Sequence, residues 1–376
     1  MIQYHNCYVN VDQSDMDSIQ VAITENSISG KGPFVEKFEE SLRNYFQSDY
    51  AICCSSGTAG IHMILFLENI KPGDEVMLPP TAPIMCALPI LAVGAKPIFV
   101  DTESDSFNIS IQDLEKKRTG KTKLLINVPM WGYSNNIDEV AAYCKKANIK
   151  VLEDNSHCHG TTLGDRQLGT FGDYAVFSTH ERKLITTGEG GFILVKDQHD
   201  YEKLLEIRSF GEMSESGKDG TINKGAYGYY FGLNFKLSSL NASLGVTQLK
   251  KLEDKIAKRR TNAEKLAMEI SQCNKNIREL KTKTNTRSNY YSIVFVTLPD
   301  IKNKIEKILL ENKILSDPLR YKYCPLYELP IFKEYSTSCP NAENLIKSVF
   351  TLPVHEGLSL TDLNLIAKVI KDIDYD

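Results

Sequence analysis

The sequence predicts an α/β protein: a largely parallel sheet covered by helices on both faces, with a smaller C-terminal α+β domain. Three observations carry this. Over the first two-thirds of the chain, near-continuous apolar runs alternate with amphipathic stretches of helical length, the pattern of strands buried on both faces. The alternation stops where "DYAVFST" and "GGFILVKD" are joined by a short connection, which favours a hairpin or a bend at the sheet's edge over another crossover. Beyond it, a strongly charged helical stretch over about 238–271 leads into a tail that mixes strand and helix. The 376 residues suit two domains. A large one would span 1–250 and a small one 251–376, with the N-terminal segment able to pack on the small one.

Each element can be justified in turn. "YAICCSS" is an apolar strand, and "GTAGIHMILFLENI" after it is helical. "GDEVMLPP" is a strand, followed by a helical stretch to Val93 and the strand "KPIFVD". "SIQDLEKK" and "NIDEVAAYCKKAN" are helices on either side of the strand "KLLINVPM", and "KVLED" is a strand ending in a polar loop. The glycine-rich segment 210–232 is long for a loop, and long loops tend to be functional or mobile. In the tail, "NYYSIVFVTLP" is a strand, and "IKNKIEKILLEN" and "DLNLIAKVIKDI" are helices.

Composition narrows the function. Net charge is −4 and the pI is about 6.0, which argues against a nucleic-acid partner. The N-terminus lacks a basic region followed by an apolar stretch, and no uncharged apolar run reaches membrane-spanning length. A cytoplasmic protein with no membrane partner is the simplest reading. The nine cysteines are odd in number and form no CxxC pair. "HCH" at 157–159 is a poor tetrahedral site without other ligands, so no metal is expected.

Three places could carry chemistry. "SSGTAG", Ser55 to Gly60, follows a strand and opens a helix. Its N–H groups could receive an anion, although taken alone a plain N-cap and tight turn is the better reading. Asp154 ends a strand, where it could be a helix cap or a site carboxylate, and His157 could touch the same ligand. His159 is either structural or solvent-facing. Lys183 lies between two strands in "FSTHERKLITTGEGG" and could be a Schiff-base lysine or a surface lysine beside Glu181 and Arg182. Taken together, an anion-binding helix start, an acid at a strand end, a lysine and the Ser178 hydroxyl match what pyridoxal 5′-phosphate (PLP) requires.

These stretches are similar to motifs of the DegT/DnrJ/EryC1/StrS family of PLP enzymes. Most of its members are sugar aminotransferases of the aspartate-aminotransferase fold, fold type I. The resemblance runs through "GKGPFVEKFEESLRNYF", "SSGTAGIHMIL", "VGAKPIFVDTESDSFNIS", "VLEDNSHCHGTTLGDRQLGTFGDYAVFS", "HERKLITTGEGGFILVKD" and "GLNFKLSSLNASLGVTQLKKL", in that order. It implies that Lys183 forms the Schiff base and shuttles the proton. It implies that Asp154 pairs with the pyridine nitrogen and that His157 stands near the ring's phenolic oxygen. Ser56, Gly57, Thr58 and Ser178 would lie at the phosphate, and Asn234 would reach it from a neighbouring subunit, so a homodimer is implied. The implied reaction moves an amino group from glutamate, or glutamine, to a keto-sugar, often nucleotide-linked, by way of pyridoxamine 5′-phosphate (PMP). Such sugars serve surface polysaccharide or secondary-metabolite biosynthesis.

Three positions depart from the family pattern. Pro83 stands where an aromatic residue usually covers the ring, Thr179 replaces a frequent aromatic, and Ser56 replaces the usual Asn. None removes a chemically required group. The alternatives are a PLP/PMP-dependent sugar dehydratase of the same family, in which a histidine replaces the lysine, or an aminotransferase acting on a small phosphorylated ketone or inosose. His180 could touch substrate or only pack on the lysine's loop. "ISGKGP", the 210–232 loop and "RYKYCPLY" are candidate substrate contacts.

Overall fold

The computed structural model describes residues 4–5, 8–26, 28–212, 227, 230–282 and 285–373. Helices α1 (Gln13–Thr24) and α2 (Pro33–Phe46) come first. Strand and helix then alternate through β1 (Tyr50–Cys54), α3 (Gly57–Leu67), β2 (Glu75–Leu78), α4 (Ile84–Ala92), β3 (Lys96–Phe99), α5 (Ile111–Lys117), β4 (Thr122–Asn127), α6 (Ile137–Ala147) and β5 (Lys150–Asp154). A small hairpin, β6 (Thr162–Leu163) and β7 (Arg166–Gln167), precedes β8 (Tyr174–Ser178) and β9 (Gly191–Val195). After α7 (Gln198–Arg208) come α8 (Ser239–Lys250), α9 (Leu252–Ile270), β10 (Arg278–Glu279), β11 (Thr286–Arg287) and β12 (Ile293–Val296). The chain closes with α10 (Pro299–Glu311), α11 (Asp317–Arg320), α12 (Pro340–Ser348), β13 (Val349–Leu352) and α13 (Leu360–Lys371).

The main sheet has seven strands in the order β1-β9-β8-β5-β4-β2-β3. From β3 to β8 every pairing is parallel. β9 is antiparallel to both its neighbours, so β1 again points the same way as the rest. The expected hairpin is the β8–β9 pair. Both faces are buried: Val76, Leu78, Leu124, Ile126 and Leu152 enter one core cluster, while Met77, Leu125 and Val151 enter another. That division follows the two-residue period of a strand.

Helix α2 shows how an outer layer is attached. Phe34, Phe38, Leu42 and Phe46 recur every fourth residue and are all buried, giving one apolar stripe. The stripe meets α8 at Gly245, where an added Cβ would lie 2.6 Å from the Phe38 ring. The single helix expected over 238–271 is instead two, α8 and α9. They meet at Lys251, whose N–H bonds the Gln248 carbonyl at 3.2 Å in a tighter, three-residue turn. The 210–232 segment falls for the most part outside the described residues.

A further core gathers Ile293, Phe295, Ile305, Phe350, Leu352 and Ile366 around the sheet β10-β12-β13. Tyr4 joins it and bridges to Ile314. Conversely, Tyr291, Val294 and Leu326 join the large core. The two cores therefore interlock across the chain. No helix among the described residues is long and apolar enough to cross a membrane.

Candidate active site

The carboxyl ends of the parallel strands share one edge, where open α/β sheets bind ligands. After β1 the chain turns into α3, and Ser56 caps that helix, its Oγ accepting from the Ala59 N–H at 3.0 Å. Gly57 opens the helix against two hydroxyl residues: a Cβ there would lie 3.0 Å from Ser178 Cβ and 3.3 Å from Ser156 Oγ. Gly191 presses from the other side, with room for no Cβ, since one would fall 2.6 Å from the Gly57 nitrogen. The first N–H groups of α3 thus stand beside Ser156 and Ser178, an arrangement suited to an anion.

Asp154 ends β5 and is 6% exposed. Its Oδ1 accepts from the Ser156 N–H at 3.1 Å and its Oδ2 from the Cys86 thiol at 3.0 Å. Both donors are uncharged groups. Lys183 sits in the β8–β9 connection, with Nζ 5.2 Å from the centre of the Tyr291 ring. Burial pushes its ammonium from 10.5 down to about 8, against the opposing pulls of Asp154 and Asp317.

His157 stacks on the same Tyr291 ring, centroids 4.3 Å apart and planes 11° apart. Its Nδ1 accepts from the Trp131 N–H at 3.3 Å. Burial drives its pKa well below 6.5, and the Lys183 charge adds to this. His157 is therefore neutral at pH 7, with its proton on Nε2.

These groups line one cavity of about 510 Å³. Its wall includes Trp131, which holds a left-handed backbone at φ 52°, a conformation that costs a bulky residue about 1–3 kcal/mol. Ring contacts with Phe107 and Tyr323 hold it in place. Its indole N–H donates to Asp317 Oδ2 at 3.2 Å, and Ser292 Oγ donates to the same oxygen at 3.1 Å. The Arg182 guanidinium donates to Tyr321 Oη at 3.1 Å. His180 Nε2 stands 3.7 Å from Glu189 Oε1.

Ser56, Gly57, Thr58, Asp154, His157, Ser178 and Lys183 all line the cavity, as do Pro83 and His180. Asn234 does not. It is exposed and bridges to Ser209. From "RYKYCPLY", Tyr321 to Cys324 and Leu326 reach the wall. The "ISGKGP" loop packs instead on the start of α8, where the Ser239 N–H donates to the Ser29 carbonyl at 2.9 Å. His159 is fully buried against Phe177 and Phe192, which makes it structural. Among the described residues no cluster of His, Cys, Asp and Glu could hold a metal.

Sequence reasoning missed Cys86, Trp131, Ser156, Tyr291 and Asp317. Trp131 and Ser156 follow β4 and β5, so the strand-end rule could have found them, whereas Cys86 lies inside α4 and carries no such signal. Tyr291 and Asp317 arrive from the C-terminal third, with no local signal.

The site can be set beside known proteins. The chain is 28% identical to a GDP-perosamine synthase of Escherichia coli O157:H7, over 93% of this chain and 92% of that one. Its fold matches Helicobacter pylori PseC, an aminotransferase involved in the biosynthesis of pseudoaminic acid, with a TM-score of 0.88, 25% identity and 98% of both chains covered. It also matches the PMP form of Spr1654 from Streptococcus pneumoniae, with a TM-score of 0.88, 23% identity, and 99% of this chain and 98% of that one covered. The profile of one family matches residues 10–371, so the chain belongs to the DegT/DnrJ/EryC1/StrS aminotransferase family.

Proposed function

We propose that this aminotransferase carries PLP on Lys183 and moves an amino group from glutamate, or glutamine, to a keto-sugar linked to a nucleotide. The observation that carries the reading is the Lys183 ammonium, held at about 8 in one cavity with Asp154. With that pKa, roughly a tenth of the side chains are neutral at pH 7, against about three in ten thousand for an ordinary lysine. A neutral amine is what attack on a carbonyl requires.

The surrounding residues fit the cofactor. Gly57, Thr58 and Ser178 offer donors to a phosphate, with Ser56 holding the helix start in place. Asp154 would keep a ring nitrogen protonated, and the His157 Nε2–H would donate to a phenolic oxygen. When bound, PLP supplies an electron sink for the carbon that loses its proton. Lys183 is the group placed to take that proton and return it.

Arg182 and Lys322 bring cations to the wall, which suits a phosphorylated acceptor. The likeness to a GDP-perosamine synthase supports the nucleotide-linked reading, and with it a role in surface polysaccharide biosynthesis. Asn234 is exposed and does not line its own cavity, which supports the homodimer, with Asn234 serving the neighbouring subunit. The absence of a membrane-spanning helix among the described residues and the free cysteines support a cytoplasmic location. A dehydratase of this family would place a histidine where Lys183 stands.

The test is spectroscopic. PLP-loaded protein should show a visible band that L-glutamate converts to the PMP spectrum. Borohydride should fix the label on the Lys183 peptide. If Lys183→Ala keeps the band and the reducible adduct, the reading is wrong. Keto-sugars with and without a nucleotide then decide the acceptor.

A further inference from the structure

Lys255, on the first turns of α9, is only 4% exposed. A buried ammonium is costly, and an apolar side chain of similar volume would avoid that cost. Its hydrogen bonds go to uncharged groups: the Leu184 carbonyl at 2.8 Å and Gln248 Oε1 at 2.6 Å. Leu184 directly follows Lys183 and is itself buried.

The Lys183 segment is tied at its ends by its own strand connection. The Thr179 N–H donates to the Gly190 carbonyl at 2.8 Å, and the Thr187 N–H to the Thr179 carbonyl at 2.8 Å. Lys255 adds a tether in the middle, from a separate element. That tether is itself oriented. Gln248 Nε2 donates to the Asn10 carbonyl at 2.8 Å and to Asp15 Oδ2 at 3.0 Å, which turns Oε1 toward Lys255. Lys251 Nζ binds the same Asp15 oxygen at 2.6 Å. An unbroken polar line thus runs from α1 through α8 and α9 to the peptide beside Lys183.

We propose that Lys255 is a positioning residue for Lys183: by holding the Leu184 carbonyl it fixes where the reactive side chain leaves the backbone. The role rests on the reading of Lys183 as the PLP lysine.

Two measurements test it on the full-length chain, one of them without cofactor. Hydrogen exchange of residues 179–190 should accelerate about tenfold in Lys255→Met, as expected for a lost charge-assisted bond, while β4 and β5 exchange as in the parent. PLP release from the loaded protein should also accelerate about tenfold. Lys255→Gln, which keeps an N–H donor, should recover part of both. Unchanged exchange across 179–190 in Lys255→Met overturns the proposal, as does equal damage in the Gln variant. Should Lys255→Met not fold, the same exchange is read in Gln248→Leu, which removes the acceptor orienting Lys255, and unchanged exchange there also overturns it. If the parent protein takes up no PLP, the aminotransferase reading of Lys183 fails, and the cofactor-free exchange still decides the tether.

Discussion

The buried Lys183 ammonium is destabilising for the fold. Its folded pKa of about 8 lies below the ordinary 10.5, so between those values the unfolded chain holds more protons and stability rises with pH. Below about 8 the full cost is present, on the order of 3 kcal/mol for a shift of this size. Lys183→Met should therefore stabilise the cofactor-free protein by up to about 3 kcal/mol at pH 7, with the gain fading toward pH 10.5. Urea titrations of both proteins across that range check this. If Asp154 holds the ring nitrogen of PLP as proposed, Asp154→Asn should keep the fold but lower kcat by roughly 10²–10³, because an amide cannot hold it protonated. Steady-state rates at saturating PLP measure it. Both residues were legible in the sequence, since each sits at or just past a strand's carboxyl end in a recognisable motif. Cys86 was not, because its contact with Asp154 runs from helix α4 to the end of β5 and leaves no trace in spacing.

The β8–β9 hairpin decides where the lysine can be. Because β9 runs against its neighbours, the connection from β8 stays at the same edge as Asp154 and the start of α3. Its short length made this hairpin visible in the sequence. The closeness of Gly191 to α3 was not visible, since it depends on β9 lying between β8 and β1, an order the chain does not follow. That contact makes Gly191→Ala informative. The added Cβ has no space beside the Gly57 nitrogen and the Phe177 carbonyl, so strand and helix must part, at about 1–3 kcal/mol. Thermal unfolding should show the loss, and a PLP titration should show weaker binding, since the displaced N–H groups are those proposed to hold the phosphate. The α8–α9 joint was missed for a similar reason: a charged surface reads continuously through Lys251, while the turn there is held by Asp12 and Asp15, far away in sequence.

Over the whole molecule, the cavity belongs to no single stretch of chain. Its floor comes from the first two hundred residues. Its far wall comes from Asp317 to Leu329, fastened by the Tyr323 hydroxyl on the Thr81 carbonyl at 2.6 Å. The sequence suggested that the N-terminal segment could pack on the C-terminal part, as Tyr4 does, but not that Tyr291 would join the large core. If Asn234 serves a neighbouring site, sedimentation should give a dimer, and mixing Lys183→Ala with Asn234→Ala chains should restore roughly a quarter of the parental activity, because half of the randomly formed dimers regain one intact site. A mixture no more active than its parts would rule out sharing. The chain has one tryptophan among its 376 residues, and that residue is Trp131, in the cavity wall with its indole on Asp317. The intrinsic fluorescence of the entire protein at tryptophan wavelengths is thus a signal from a single site, and quenching on cofactor or sugar entry can be read without a label.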